Sequence, residues 1–143
     1  MNPTRLLILS TDPAICRKFK AFFRYPVYEI RIPCTPREAL AHAADPQCPV
    51  VILDTAFPGI DLSVFISRLR AQNPRIRILI AASVHSEAIE KAARWAGVLY
   101  YATKPFDFKL FRKIIERGAF MHPAHQTYEY VDSLAMLSRY GRI

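Results

Sequence analysis

Apolar and polar positions alternate along the chain in two rhythms. Leu6–Leu9 is a short apolar run. The stretch TDPAICRKFKAFF that follows places Ile15, Phe19, Phe22 and Phe23 on one face at helical spacing. Asp12 and Pro13 open it as an N-cap acid followed by a first-position proline. YEIRI (28–32) alternates like an edge strand. TPREALAHAA (35–44) predicts a second helix, with Thr35, Pro36 and Glu38 arranged as a capping box. Val50–Leu53 reads as a buried strand, and Leu62 to Arg70 as a helix. Ile76, Ile78, Leu79 and Ile80 mark a fourth strand, and Glu87 to Trp95 a helix stopped by Gly97. Val98–Ala102 is a fifth strand, and Asp107 caps a fifth helix that reaches Arg117.

Strands alternating with helices predict a parallel sheet covered on both faces. Right-handed crossovers leave few topologies. The expected fold is α/β, a doubly wound, flavodoxin-like (βα)5 domain with a five-stranded sheet in the order 2-1-3-4-5. The domain is expected over residues 4–117, a linker over 118–127, and a tail over 128–143. The tail reads as one more helix, with Tyr130, Val131, Leu134, Leu137 and Tyr140 near one face. Trp95 and the phenylalanines of the first helix are expected in the core.

In open α/β sheets, function gathers at the carboxyl ends of the strands. Those ends carry Ser10, Thr11 and Asp12, then Asp54, then Ala81, Ala82 and Ser83, then Thr103 and Lys104. Asp54 leaves a strand with no polar neighbour in it. A carboxylate on that side needs a partner, and Lys104, which ends a strand on the same edge, is the expected one. The plain alternative is a structural ion pair without chemistry.

Composition narrows the classes. The chain has 143 residues, 52% hydrophobic and 22% charged, an ordinary balance for one globular domain. No segment reaches the roughly 18 apolar residues of a membrane span, and no secretory leader is visible. A cytoplasmic protein is expected. Cys16, Cys34 and Cys48 form no C-x-x-C pair and are expected as buried or half-buried free thiols. His42, His85, His122 and His125 show no metal spacing. A flavin enzyme of flavodoxin type would want a glycine-bearing phosphate loop after the first strand, and STDPAI has none. No enzymatic activity is expected.

The net charge of +8 brings nucleic acid or an acidic partner into view. Arg17, Lys18, Lys20 and Arg24 of the first helix would lie beside Lys109, Arg112, Lys113 and Arg117 of the fifth. The plain alternative is a solvated positive face. A basic, nucleic-acid-binding regulatory protein using this face is the alternative function, although no nucleic-acid-reading motif accompanies it.

The chain resembles the receiver domains of two-component response regulators over about residues 4–117. VVILDTAFPGID is similar to that family's phosphoacceptor strand and loop, and GVLYYATKPFD to its fifth-strand motif. The resemblance implies Asp54 as phosphoacceptor, Lys104 as the phosphoryl contact, and a cis Lys104–Pro105 bond. It also implies Ala82 and Tyr101 at the switch positions, a role in phosphorelay signalling, and a sensor histidine kinase or other signalling protein as partner. A homodimer through helix 4, strand 5 and helix 5 is a further implication. Three departures stand out. Ser10 and Thr11 occupy the positions of the family's Mg²⁺-binding acid pair, and Ala82 the position of its Thr or Ser. Asp12 is next in line as a ligand beside Asp54, but is spoken for as an N-cap. The expected cofactor is therefore none, or weakly bound Mg²⁺, and the expected protein a degenerate receiver acting through protein–protein contact.

Overall fold

The computed structural model describes residues 3–120. Five strands alternate with five helices: β1 Thr4–Leu9, α1 Pro13–Phe22, β2 Tyr28–Arg31, α2 Pro36–Ala43, β3 Val50–Asp54, α3 Leu62–Gln72, β4 Arg77–Ala82, α4 Glu87–Trp95, β5 Tyr100–Thr103 and α5 Phe108–Phe120. The strands form one parallel sheet in the order β2-β1-β3-β4-β5. This is the expected doubly wound α/β fold.

Alternation along the strands divides the core into two layers. Leu6, Ile8, Val50, Ile52, Leu79 and Ala81 pack with Phe19 of α1, Phe23 just after it, and Phe108 and Phe111 of α5. Leu7, Leu9, Val51, Leu53, Ile78 and Ile80 pack beneath α2, α3 and α4, with Ala39, Phe65, Ile66, Leu69 and Ala93. In the first layer Phe19 meets Phe108 and Phe111 edge-on, at ring centroid distances of 4.8 and 5.3 Å.

The caps follow their sequence signals. Asp12 accepts from the Ala14 amide at 2.9 Å and caps α1. Thr35 accepts from the Glu38 amide at 3.1 Å, while the Glu38 carboxylate reaches back to the Cys34 amide at 2.8 Å. Asp61 and Ser86 cap α3 and α4 in the same way. Asp107 accepts from the Leu110 amide at 3.1 Å at the start of α5.

Three expectations are corrected. Trp95 is 85% exposed rather than in the core. The buried face of α4 is set by Ala93, and two residues onward the helix has turned by roughly 200°. Cys34 is exposed, whereas Cys16 is half-buried and Cys48 buried. The fifth helix does not end at Arg117 but continues through Gly118 to Phe120. A glycine inside a helix costs only about 1 kcal/mol. Strand β4 ends at Ala82, within the expected strand end. The rest of the expected linker and the tail lie outside the described residues.

Candidate functional site

The register of the central strands builds the site. Ile8 of β1 pairs with Ile52 of β3. Two residues further on come Ser10, just past the end of β1, and Asp54, the last residue of β3, on the same side of the sheet. Both are buried, Asp54 to 2% exposure and Ser10 to 5%. Ser10 Oγ donates to Asp54 Oδ2 at 2.7 Å. The Ala56 amide donates to Asp54 Oδ1 at 2.9 Å. Ser10 Oγ in turn accepts from the Asp12 amide at 3.1 Å. The buried carboxylate is thus held by one hydroxyl and one backbone N–H, each on a different oxygen.

Lys104 is exposed and forms no salt bridge with Asp54. The expected ion pair is absent. The carboxylate already has two donors, and bringing an ammonium into the crevice would strip its water. Lys104 stands at the end of β5, and its bond to Pro105 is cis, as the resemblance implied.

The other expected residues separate. Asp12 faces its helix terminus, and Thr11 is exposed. Cys16 Sγ lies 3.7 Å from the Ser10 carbonyl oxygen. Burial pushes its thiol pKa up; Lys20 opposes that, and Asp12 and Asp54 add to it. Ala82 is buried at the end of β4. Ser83 Oγ is buried without a partner among the described residues.

Two contacts were not read from the sequence. Thr55, next to Asp54, donates through Oγ1 to the Val84 carbonyl at 3.1 Å and accepts from the Val84 amide at 3.2 Å. This ties the loop after β3 to the loop after β4. In the same loop His85 Nδ1 lies 3.0 Å from Tyr101 Oη, with the two rings edge-on. Burial first, then Glu90, raises the Tyr101 phenol to about 12. A hydroxyl directly after a strand-end acid was the available signal for Thr55. Nothing in the local sequence marks the pairing of His85 with Tyr101.

The donor set does not suit Mg²⁺. That ion wants oxygen ligands in a near-ideal octahedron, with carboxylates among them. Here one carboxylate is available, and both its oxygens and the neighbouring hydroxyl are engaged with each other or with backbone. No group of three His, Cys, Asp or Glu side chains suited to a metal occurs among the described residues.

A doubly wound five-stranded domain with an acid at the end of its central strand and a Lys-Pro step after β5 is the receiver architecture. The chain belongs to the response regulator receiver domain family, whose model matches residues 6–116. It is a receiver domain of two-component signalling. It is 27% identical over 113 residues to the transcriptional regulatory protein ZraR of Salmonella typhimurium, covering 79% of this chain and 26% of that protein. It is 29% identical over 112 residues to the regulatory protein VanRB of Enterococcus faecalis, covering 78% of this chain and 50% of VanRB. The chain therefore spans between a quarter and half of these relatives' lengths. Among solved structures, a CheY-like receiver domain protein from Methanospirillum hungatei superposes with a TM-score of 0.71. It is 23% identical, covering 82% of this chain and 95% of that one. CheY4 of Vibrio cholerae gives 0.67 at 22% identity, covering 81% and 98%.

On the opposite side of the domain from α2, α3 and α4, helices α1 and α5 pack together as expected. Arg17, Lys18, Lys20, Arg24, Lys109, Lys113 and Arg117 are exposed there. Arg112 is drawn in, donating to the Phe22 carbonyl. No helix among the described residues is long and apolar enough to cross a membrane.

Proposed function

We propose that this receiver transmits its signal through protein contacts without depending on Mg²⁺-assisted phosphorylation of Asp54. The observation that carries the reading is the buried Ser10 Oγ–Asp54 Oδ2 hydrogen bond of 2.7 Å. Phosphoryl transfer relies on neutralising charge on the transferred oxygens, normally with the metal. Ser10 and Thr11 bring no charge to that task. Ser10 instead satisfies the carboxylate that would attack. Lys104 follows β5, one strand beyond β4, and in this reading it approaches only an added anion.

The loop ties fit the same reading. Thr55 holds Val84, and His85 meets Tyr101. Both place the loop after β4 in one arrangement with no phosphoryl group to recruit it. Tyr101 and Ala82 are then fixed elements rather than moving ones. The partner is a sensor histidine kinase or another signalling protein, bound by surfaces already formed.

The test uses acetyl phosphate with and without Mg²⁺, read by intact mass. Wild-type protein should remain unmodified, while Ser10→Asp/Thr11→Asp should gain a Mg²⁺-dependent phosphoryl adduct that Asp54→Asn removes. Stoichiometric modification of the wild type at sub-millimolar Mg²⁺ would sink the proposal.

A further inference from the structure

Two rows of cations run along the outer side of the α1–α5 pair. In α1, Ile15 and Phe19 set the buried stripe, and Arg17 and Lys20 fall on the opposite side of the helix. Arg24 follows one turn beyond Lys20, just past the helix end. In α5, Phe111 and Ile114 are buried. Lys109, Lys113 and Arg117 recur every four residues on the other side, about 6 Å of rise apart. All six cations are exposed, and none makes an ion pair among the described residues. The two helices are locked side by side. Phe19 meets Phe108 and Phe111, Arg112 donates to the Phe22 carbonyl, and Tyr28 Oη donates to Glu116 Oε2 at 2.9 Å. Packed helices lie about 8–10 Å apart, so the rows act as one field. Carboxylates do little to offset it. Helix α1 contains no acid, and α5 contains only Glu116, which is held by Tyr28. Asp12 and Asp107 are turned to the helix N-termini as caps.

Three features select the ligand. Cations repeated along two rows suit a linear polyanion with a charge on every unit. No large apolar side chain described on either helix is exposed, whereas the centre of a protein interface is apolar and aromatic. Tyr25, 76% exposed, directly follows Arg24 at the end of the α1 row. An aromatic ring in open solvent beside a cationic track is a platform for an unpaired base. Bases in a duplex are already stacked and paired. Two helices lying side by side on a sheet also present a broad, shallow face, not a single helix that enters the major groove.

We propose that the α1–α5 face binds single-stranded nucleic acid, with phosphates along the two rows and a base stacked on Tyr25. The Asp54 crevice lies at the strand ends, so this binding does not depend on a phosphoryl group there.

The test titrates the full chain into fluorescein-labelled oligodeoxythymidylate of about 12 nucleotides. Anisotropy is read at about 50 and about 200 mM salt. With six phosphates engaged, affinity should fall on the order of a few hundredfold between the two. Lys20→Gln/Lys113→Gln should weaken binding and reduce the steepness of log affinity against log salt by about 1.4. Tyr25→Ala should weaken binding about tenfold and leave the steepness unchanged, because stacking releases no counterion. Arg37→Gln/Arg68→Gln removes the same charge from exposed positions on α2 and α3 and should bind as the wild type does. Thermal melts report that each variant is folded. The proposal is overturned if the oligonucleotide does not bind at the lower salt. It is overturned if the α2–α3 variant loses as much affinity as the α1–α5 variant, which would make net charge the cause. A duplex of the same length that binds as tightly as the single strand also overturns it. So does polyglutamate of equal charge that binds as tightly, which would make an acidic protein the partner.

Discussion

At the scale of single residues, Ser10 decides how the site behaves. A buried carboxylate that loses a donor keeps its desolvation cost and gains nothing in return. Ser10→Ala should therefore destabilise the fold by about 1–3 kcal/mol, measured as a drop in the urea midpoint near neutral pH. The same substitution in an Asp54→Ala background should cost much less, because the acceptor has gone. Equal losses in the two backgrounds would mean that Ser10 acts through packing alone. Much of this site is legible in the sequence. Asp54 stands out because Val50–Leu53 contains nothing polar, and Asp12 announces itself as a cap by preceding Pro13. The Ser10–Asp54 bond is not legible residue by residue. It needs the register of β1 against β3, which pairs Ile8 with Ile52 and which no local pattern encodes. Lys104 misled for a related reason. Strand-end placement sets where a lysine starts, but its long side chain and hydration set where the charge ends up.

At the scale of elements, the end of α4 shows how one segment closes on another. Gly97 follows the helix with φ of +75°, in the left-handed region. A Cβ there would have its nearest contact at 3.7 Å, with Arg70 Nη2, so space is not the obstacle. Gly97→Ala should cost about 1–2 kcal/mol from backbone strain alone. Arg70 reaches from α3 to donate to the Ala96 carbonyl and, at 2.9 Å, to the Gly97 carbonyl. It satisfies carbonyls left over at the helix end and opposes the negative end of the dipole. Arg70→Ala should cost about 1–2 kcal/mol. Thermal melts of the two single variants and the pair check both values. Strictly additive losses would show that the glycine geometry does not depend on the arginine. The helix starts were readable because caps are local, a short polar side chain one turn from the amide it serves. The Arg70 clasp was not, since it joins residues 26 and 27 apart in sequence. Trp95 was misplaced because its size argued for burial, while the turn of the helix past Ala93 carries it outward.

At the scale of the whole molecule, the two core layers keep several protons that the unfolded chain gives up more readily. Burial, ahead of Asp45, raises the Cys48 thiol from 9.0 to about 11. Burial followed by the Glu116 bond raises Tyr28 from 10.0 to about 12, and Tyr101 rises by a similar route to about 12. For each group the folded state binds the proton more tightly, so its stabilisation is complete below the ordinary value. Above that value the unfolded chain ionises first, and stability falls until the folded group titrates too. The fold should therefore hold a steady denaturation midpoint from neutral pH to about 9, then weaken in two stages. The first, beginning at about 9, belongs to Cys48 together with Cys16, whose thiol burial also raises; the second, from about 10 to 12, belongs to the two tyrosines. Cys48→Ala should shallow the first stage, at the cost of some packing at every pH, and Cys16→Ala together with it should remove the stage. Tyr28→Phe should shallow the second stage and lose the Glu116 bond that joins β2 to α5. Urea midpoints across the alkaline range, with tyrosinate absorbance followed in parallel, separate the stages. A wild-type midpoint that stays level to pH 12 would mean that these groups reach solvent freely in the folded state.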